Sequence, residues 1–421
     1  MDRRVVALIL AGGRGTRLNI IASRRAKPAV PFAGIYRIID FTMTNVMRSG
    51  VQHLGVLTQY RPTSLMEHLG DGESWDFHGL RTTFRILPPQ MGTSSTDWYK
   101  GTADAVFQNL DFLEAQKPDL VLILSGDHIY NMDYRPMISW HLETKADLTI
   151  AGMRVPWEEV GRFGTMVLDG SLRVQTFLEK VHDSPSNIAN MGVYCFNFQT
   201  LVEELQNNCP KGRYDFGADV IPGMLKRWKV VAYMFEGYWR DVGTLNSFWE
   251  ANQDALRPES GLDLWAWKVR TNLEGRGQIY HPPAIVDARA KVQNSLVSRG
   301  CIIKGEVRNS ILSPGVIVER EAVVVSSVVM HDCRIGRGAV VARSILDKDV
   351  TVGEGAKIGD INPDDKRNKR FPSHLWGGLV VIGKKSEVPA RCNIGPNCII
   401  GAGVKSRDMP LHLDNGECVG C

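Results

Sequence analysis

Residues 8 to 18 read Leu-Ile-Leu-Ala-Gly-Gly-Arg-Gly-Thr-Arg-Leu, and Lys27-Pro28 follows shortly after. Branched and bulky apolar residues that break abruptly into glycines suit a buried strand feeding a turn. Gly12, Gly13 and Gly15 let the backbone take left-handed angles and come close to a ligand, with successive N–H groups pointing outward. Together with the guanidinium groups of Arg14 and Arg17 and the ammonium of Lys27, those donors favour two or more phosphates over a neutral ligand. The spacing excludes two better-known phosphate binders. Gly15 is followed by Thr16-Arg17, whereas a Walker loop requires Lys-Ser or Lys-Thr there, and the third glycine of a dinucleotide fingerprint is missing.

Two acids lie where a phosphate-bound cation needs them. Asp127 stands in Leu124-Ser-Gly-Asp-His-Ile-Tyr130, directly after an apolar run, and Asp241 in Tyr238-Trp-Arg-Asp-Val-Gly-Thr244. Mg²⁺ takes one or two protein carboxylates and completes its shell with water and phosphate oxygens, so this pair suits it. The plainer alternative has both aspartates capping turns or pairing with arginine, and Arg240 is adjacent to Asp241. Trp98-Tyr-Lys-Gly-Thr-Ala-Asp-Ala105 puts Gly101 at the mouth of a helix expected from Thr102, where a base or sugar can approach the backbone. Phe177-Leu-Glu-Lys180 sets an acid suited to sugar hydroxyls beside a lysine suited to a phosphate.

These residues need a scaffold. Up to about Asn252, short apolar runs (Val5–Leu10, Leu54–Thr58, Leu120–Leu124, Leu148–Gly152) alternate with helical spacing at Ala103–Leu113 and Tyr134–Glu143. That alternation predicts an α/β domain over residues 1–255, a mostly parallel, Rossmann-like sheet covered by helices. Ligands in such sheets sit beyond the carboxyl ends of the strands, where the glycine bend and Asp127 both fall. Residues 256–277, with Pro258 and several glycines, read as a linker. From residue 278 to 421 the pattern changes. Val286, Val292, Val307, Leu312, Val318, Val324, Val329, Ile335, Val341, Leu346, Val352 and Ile358 recur mostly six apart, lapse across Asp360–Arg370, and return at Ile382, Val388, Ile394 and Ile400. This hexapeptide repeat predicts a left-handed parallel β-helix with an exposed loop at the break.

Bulk properties narrow the partners. A chain of 421 residues with 43% apolar content can bury two cores, and a formal charge of +4 with dispersed basic residues points away from nucleic acid and membranes and toward small anions. The apolar stretch after Arg3 and Arg4 is too short for a signal sequence, so a cytoplasmic protein with reduced thiols is expected. Cys418 and Cys421 read as free thiols on a frayed tail, since zinc would need two more ligands. A hexapeptide solenoid alone would suggest an acyltransferase with a histidine among its coils; His281, His331 and His374 are the histidines placed to serve.

The order of motifs is more specific than any one of them. The bend at Leu10–Leu18, Arg25-Ala-Lys-Pro-Ala-Val-Pro31, Tyr36-Arg-Ile-Ile-Asp-Phe41, Leu57-Thr-Gln-Tyr60, Trp98–Ala105, Gly126-Asp-His-Ile-Tyr130, Asp215-Phe-Gly217 and Tyr238–Thr244 resemble bacterial ADP-glucose pyrophosphorylases (glucose-1-phosphate adenylyltransferases) over nearly the whole chain. The resemblance implies that Gly12, Gly13 and Arg17 hold the ATP phosphates and that Lys27 steadies the departing pyrophosphate. It implies that Gln59 and Gly101, with Tyr99, bound the adenine, that Asp127 and Asp241 carry Mg²⁺, and that Glu179 and Lys180 seat glucose 1-phosphate near Asn190. It further implies a cytoplasmic homotetramer in α-glucan synthesis, with Arg24 and Arg25 in a site for small phosphorylated effectors. Departures accompany it: Leu18-Asn-Ile-Ile-Ala in place of Leu-x-Pro-Leu-Thr, Ala33 for a glycine, Val181 for a proline, Asn190 for a common serine and Ala218 for a common lysine. They leave two other readings, a non-catalytic regulatory paralogue and a nucleotidyltransferase for another hexose 1-phosphate.

Overall fold

The computed structural model describes residues 3–13, 15–89, 98–273, 281–362 and 366–421. Arg14 and the end of the expected linker, residues 274–277, lie outside them. Its first half is built on a nine-stranded mixed, mostly parallel sheet. Thr83–Leu87, His53–Leu57, Val5–Leu10 and Leu120–Ser125 run parallel in that order, and Ile188–Asn197 then pairs antiparallel with Leu120–Ser125. Strands covered on both faces need apolar residues at odd and even positions alike. Ala7 and Ile9 accordingly join a core with Met43, Val46 and Tyr134, whereas Val6 and Leu8 face the opposite core with Val106, Leu113 and Leu201. The helical stretch expected at Ala103–Leu113 is two helices, Thr102–Phe107 and Leu110–Gln116.

The second half is a solenoid of three parallel sheets in which each strand pairs with the third one along the chain, until in the last rung Asn393–Ile394 and Ile399–Ile400 pair with the second one along, His412–Leu413 and Cys418–Val419. The repeat valines, leucines and isoleucines from Val307 to Ile358 point into one continuous core and are buried. Leu296–Val297 and Ile302–Ile303 fill the gap between Val292 and Val307, and His412–Leu413 and Cys418–Val419 extend the coil beyond Ile400. The lapse after Ile358 is an insertion after which pairing resumes in order, Ser344 opposite Val380. That loop is less exposed than its charged start suggests, because Leu375 and Leu379 are buried against the first domain. Nor is the carboxyl end frayed. Cys418 and Val419 pair with Ile399 and Ile400, and both terminal thiols are half-buried, since the last rung stacks on the one before it.

The two halves share a core. Leu18, Ile21, Phe32, Phe41, Phe248 and Trp267 pack with Val328, Met330, Ile345, Val381 and Ile399 of the solenoid. Within this contact the Arg25 guanidinium donates to both oxygens of Asp347, at 2.7 and 2.8 Å, and both side chains are buried. Removing one partner of a buried pair strands the other charge, at a cost of about 3–5 kcal/mol. Asp347→Ala is therefore expected to lower the unfolding free energy by about that amount, read by chemical denaturation.

Candidate active site

The end of Val5–Leu10 carries the glycine bend. Ala11 N–H donates to the Leu57 carbonyl at 2.9 Å and Gly126 N–H to the Leu10 carbonyl at 3.0 Å, tying three strand ends together. Of the three glycines only Gly15 has a left-handed φ, +62°; a Cβ there would press on Ala22 and Lys27. Gly12 is needed for closeness instead, since a Cβ would lie 3.1 Å from that of Gln59, and a Cβ at Gly13 would point into open space.

A pocket of about 300 Å³ opens beside the bend, lined by Gly12, Gly13, Gln59, Tyr99, Gly101 and Asp127 among others. Gln59 Nε2 donates to the Tyr99 carbonyl at 3.1 Å, and the Tyr99 hydroxyl donates to the Leu87 carbonyl at 3.1 Å, so both walls are held from behind. Gly101 has an unanticipated reason to be glycine: a Cβ there would collide with the Tyr214 carbonyl. That carbonyl accepts the N–H of Ala103 at 2.8 Å and so binds the first turn of the helix Thr102–Phe107 to the segment before Asp215.

Asp127 and Asp241, far apart in sequence, meet at Lys27. Lys27 Nζ donates to Asp127 Oδ2 and to Asp241 Oδ1, each at 2.8 Å. Two short antiparallel strands, His128–Tyr130 and Trp239–Asp241, set this register by pairing His128 directly with Asp241. Ser125 also donates to Asp127. Burial pushes the Asp127 carboxyl up, but the Lys27 charge, the neighbouring His128 and hydrogen bonds from Lys27 and Ser125 together outweigh it and hold the group well below the usual carboxylate range. Asp241 is lowered by the same contest, and the two carboxylates outweigh burial at Lys27 to leave its ammonium above its ordinary value. Both acids are therefore ionised, and they hold one positive charge between them. That is the donor set a divalent cation requires, with His128 Nε2 close by.

Two groups were missed in the motif reading. Arg162 NH2 lies 3.8 Å from Asp241 Oδ2, as near as Arg17 NH2 at 4.0 Å, and its guanidinium lies over the Phe163 ring. His128 Nε2 lies 3.6 Å from Asp127 Oδ1 and 3.9 Å from Asp241 Oδ1. Arg162 carries no motif signal, whereas His128 stands inside the Gly126–Tyr130 motif next to Asp127.

On the far side, Glu179 and Lys180 pair at 2.7 Å, with the lysine largely exposed at a left-handed φ of +54°. Gly164 and Gly217 lie against the Glu179 carboxylate, where a Cβ would come within 2.7 and 2.5 Å of it. Asn190 is already engaged, donating to the Tyr194 hydroxyl at 2.7 Å and accepting from Gly192 N–H at 2.9 Å. Asp215 caps the turn after it, accepting from Gly217 and Ala218 N–H groups, and Ala218 itself makes no side-chain demand there. Ala33, where the related pattern has glycine, takes φ +46°, and its N–H is held by Asn252 Oδ1 at 2.9 Å.

A second cavity, about 1010 Å³, lies between the halves and is lined by Arg24, Arg25, Arg61, Lys348, Lys384 and Lys385. Arg25 is committed to Asp347, leaving Arg24, Arg61 and the lysines as the cations lining the space. Burial, then the charges of Arg37 and Arg25, push the Lys348 ammonium down to about 7. His374 also lines this cavity and His281 faces Asp332 at 3.6 Å, both remote from the aspartate pair.

Because Lys27 is the cation that keeps the buried Asp241 and the half-buried Asp127 together, its loss leaves like charges facing each other. Lys27→Met is expected to destabilise the metal-free protein by about 3–5 kcal/mol and to regain part of that loss on adding a divalent cation, both read by thermal denaturation.

The nucleotidyl transferase family model matches residues 6–257, and the GlmU-like C-terminal hexapeptide model matches residues 282–382. The glucose-1-phosphate adenylyltransferase of Thermotoga neapolitana is 46% identical over 99% of this chain and 98% of its own length. That of Thermotoga maritima is 46% identical over 98% of each chain, and that of Bacillus thuringiensis (strain Al Hakam) is 44% identical over 80% of this chain and 89% of its own. With a glycine bend, a paired-aspartate site and a hexapeptide solenoid in one chain, this protein belongs to the nucleotidyl transferase family, within the group of glucose-1-phosphate adenylyltransferases.

Proposed function

We propose that this chain transfers the adenylyl group of ATP to glucose 1-phosphate, giving ADP-glucose and pyrophosphate. The observation that carries the reading is the meeting of Lys27, Asp127 and Asp241 at the foot of the glycine bend, beside a pocket walled by Gln59, Tyr99 and Gly101. The adenine lies in that pocket, and the Gly12 and Gly13 N–H groups, with Arg17, bind the phosphates. Lys27 turns from the carboxylates to the pyrophosphate as it leaves. Glu179 orients the sugar and Lys180 its phosphate, with Asn190 beside them. The sugar phosphate oxygen attacks the α-phosphorus in line while the bond to pyrophosphate breaks, so the protein's task is alignment and charge neutralisation. Asp127 and Asp241 hold the metal, proposed to be Mg²⁺, which supplies charge stabilisation at the phosphates when bound.

Arg24, with Arg25 holding the wall, forms a site for small phosphorylated effectors in the inter-domain cleft. The protein acts in the cytoplasm, where its eight free cysteines stay reduced, and among the described residues no helix is long and apolar enough to cross a membrane. It works as a homotetramer in α-glucan synthesis; Ile285 and Val286 of the first coil, 59% and 52% exposed, are apolar surface that assembly covers.

Purified protein given ATP, a divalent cation and a panel of sugar 1-phosphates should release pyrophosphate fastest with glucose 1-phosphate. Asp127→Asn should lower turnover on the order of a thousandfold, since metal stabilisation of developing charge is worth several kcal/mol. Near-normal turnover in that variant would remove the metal role, and no release from the wild-type chain alone would favour the regulatory-paralogue reading. The cleft has its own signature. Lys348 gains charge as the pH falls through about 7, so a dianion bound beside it is held best below that pH. Sulfate affinity, measured by calorimetry, should fall about tenfold from about pH 6 to about pH 9 if binding raises that ammonium's pKa by about one unit, and Lys348→Met should flatten the profile.

A further inference from the structure

We infer that His128 is a third ligand to the metal, a nitrogen donor that strengthens the binding of Mn²⁺ or Co²⁺ more than that of Mg²⁺. The inference rests on the proposed metal at Asp127 and Asp241 and adds the identity of the remaining protein donor. His128 pairs with Asp241 across the two-stranded ladder and follows Asp127 in the chain, so its position is fixed by the same backbone that places both carboxylates. Its ring is fixed as well. Nδ1 lies 3.1 Å from the Met191 carbonyl, which can only accept, so Nδ1 carries a hydrogen. In the neutral ring the lone pair is therefore on Nε2, the atom that faces Asp127 and Asp241. The Trp239 ring meets the imidazole edge to face, with centroids 5.1 Å apart at 76°, and blocks rotation away from the carboxylates.

The distances suit a shared ion. One atom from each of Asp127, His128 and Asp241 lies within 4.8 Å of the others, and Nε2 is 3.6 and 3.9 Å from the nearer carboxylate oxygens. Adjacent ligands of an octahedral ion with bonds of about 2.1 Å are about 3 Å apart, so closing the set takes movements of about an ångström. A backbone carbonyl behind the distal ring nitrogen is the arrangement that fixes tautomer and orientation in histidine ligands. Imidazole is a poor match for hard Mg²⁺ and a better one for later divalent ions, so the His128 bond adds more to Co²⁺ and Mn²⁺ binding than to Mg²⁺ binding. Lys27 occupies the same carboxylates in the absence of a metal, so the metal should enter most readily with a nucleotide whose phosphates receive the ammonium.

Mn²⁺ added with a non-hydrolysable ATP analogue provides the test, through its paramagnetic resonance. Spin-echo spectra of the wild-type complex should show the modulation of a directly bonded ¹⁴N, and His128→Gln should lose it. That variant should also bind Mn²⁺ at least about tenfold more weakly while Mg²⁺ affinity moves less, as even the outer partners of metal ligands are worth about 10–100-fold. A merely structural role for His128 would not change the nitrogen signal or this selectivity. Mn²⁺ that binds the wild type and is lost in Asp127→Asn, but shows no bonded nitrogen, overturns the His128 ligand and leaves the aspartate metal site intact. Failure of Mn²⁺ to bind in an Asp127-dependent way overturns both. The wild-type spectrum decides the matter even if His128→Gln does not fold.

Discussion

Lys27 is bound by two carboxylates from distant parts of the chain, and the first domain is organised around keeping those three charges in one place. A buried ammonium is costly unless it is paired, and two buried carboxylates side by side are costly unless something positive lies between them. Each problem is the other's solution. The parallel strands Val5–Leu10 and Leu120–Ser125 bring the glycine bend and Asp127 to one sheet edge, and the small ladder His128–Tyr130 with Trp239–Asp241 adds the second acid. Without the ladder, Asp241 would have no register relative to Asp127. Without the left-handed Gly15, where a Cβ would press on Ala22 and Lys27, the chain would enter the lysine segment at another angle.

The same short segment serves the second domain. Between residues 16 and 30 the chain presents Arg17 and Lys27 to the aspartates, Leu18, Ile20 and Ile21 to the shared core, and Arg24 and Arg25 to the inter-domain cleft. A segment with both ends at the aspartates and its middle at the cleft cannot shift at one without disturbing the other, because its apolar residues are packed between them. The two sites are thus joined by one packed stretch: Arg24 and Lys348 in the cleft, Arg25 paired with Asp347, the Leu18–Ile21 packing, and Lys27 at the aspartates.

Much of this was legible in the residues. The strand before the glycines, Asp127 at a strand end and the six-residue repeat all follow from side-chain period and from which residues tolerate a tight turn. Other parts were not. Arg162 approaches Asp241 only because the turn after Leu148–Arg154 folds over the ladder, and a lone arginine leaves no pattern in sequence. Gly101 was legible as a glycine but not for its reason, since Tyr214 is brought against it by tertiary packing. The end of the chain misled for a related cause: Cys418-Val-Gly-Cys421 departs from the hexapeptide period, yet backbone pairing with Ile399 and Ile400 still builds a rung. Departures from the related pattern were legible as such, and the model shows how one is tolerated. Ala33 keeps the left-handed angle that glycine would take, at a cost of about 1 kcal/mol, because Asn252 accepts its N–H and Phe32 and Phe41 anchor the turn on either side.

The chemistry asks for charge to be moved rather than for protons to be exchanged, and the arrangement of charges fits that demand. In the free protein one ammonium neutralises two carboxylates, and Arg17 and Arg162 stand about 4 Å from Asp241. A triphosphate brings its own negative charge together with a divalent cation. With both bound as proposed, Asp127 and Asp241 would hold the cation and the Lys27 ammonium would pair with the phosphates, leaving no ion stranded in a low-dielectric site. A neutral residue in place of Lys27 would leave both the free and the bound forms with an uncompensated charge. The lysine is thus required in two different electrostatic settings, and the flexible four-carbon stem that lets a single ammonium serve both is a reason for lysine, rather than a rigidly forked arginine, to occupy that position.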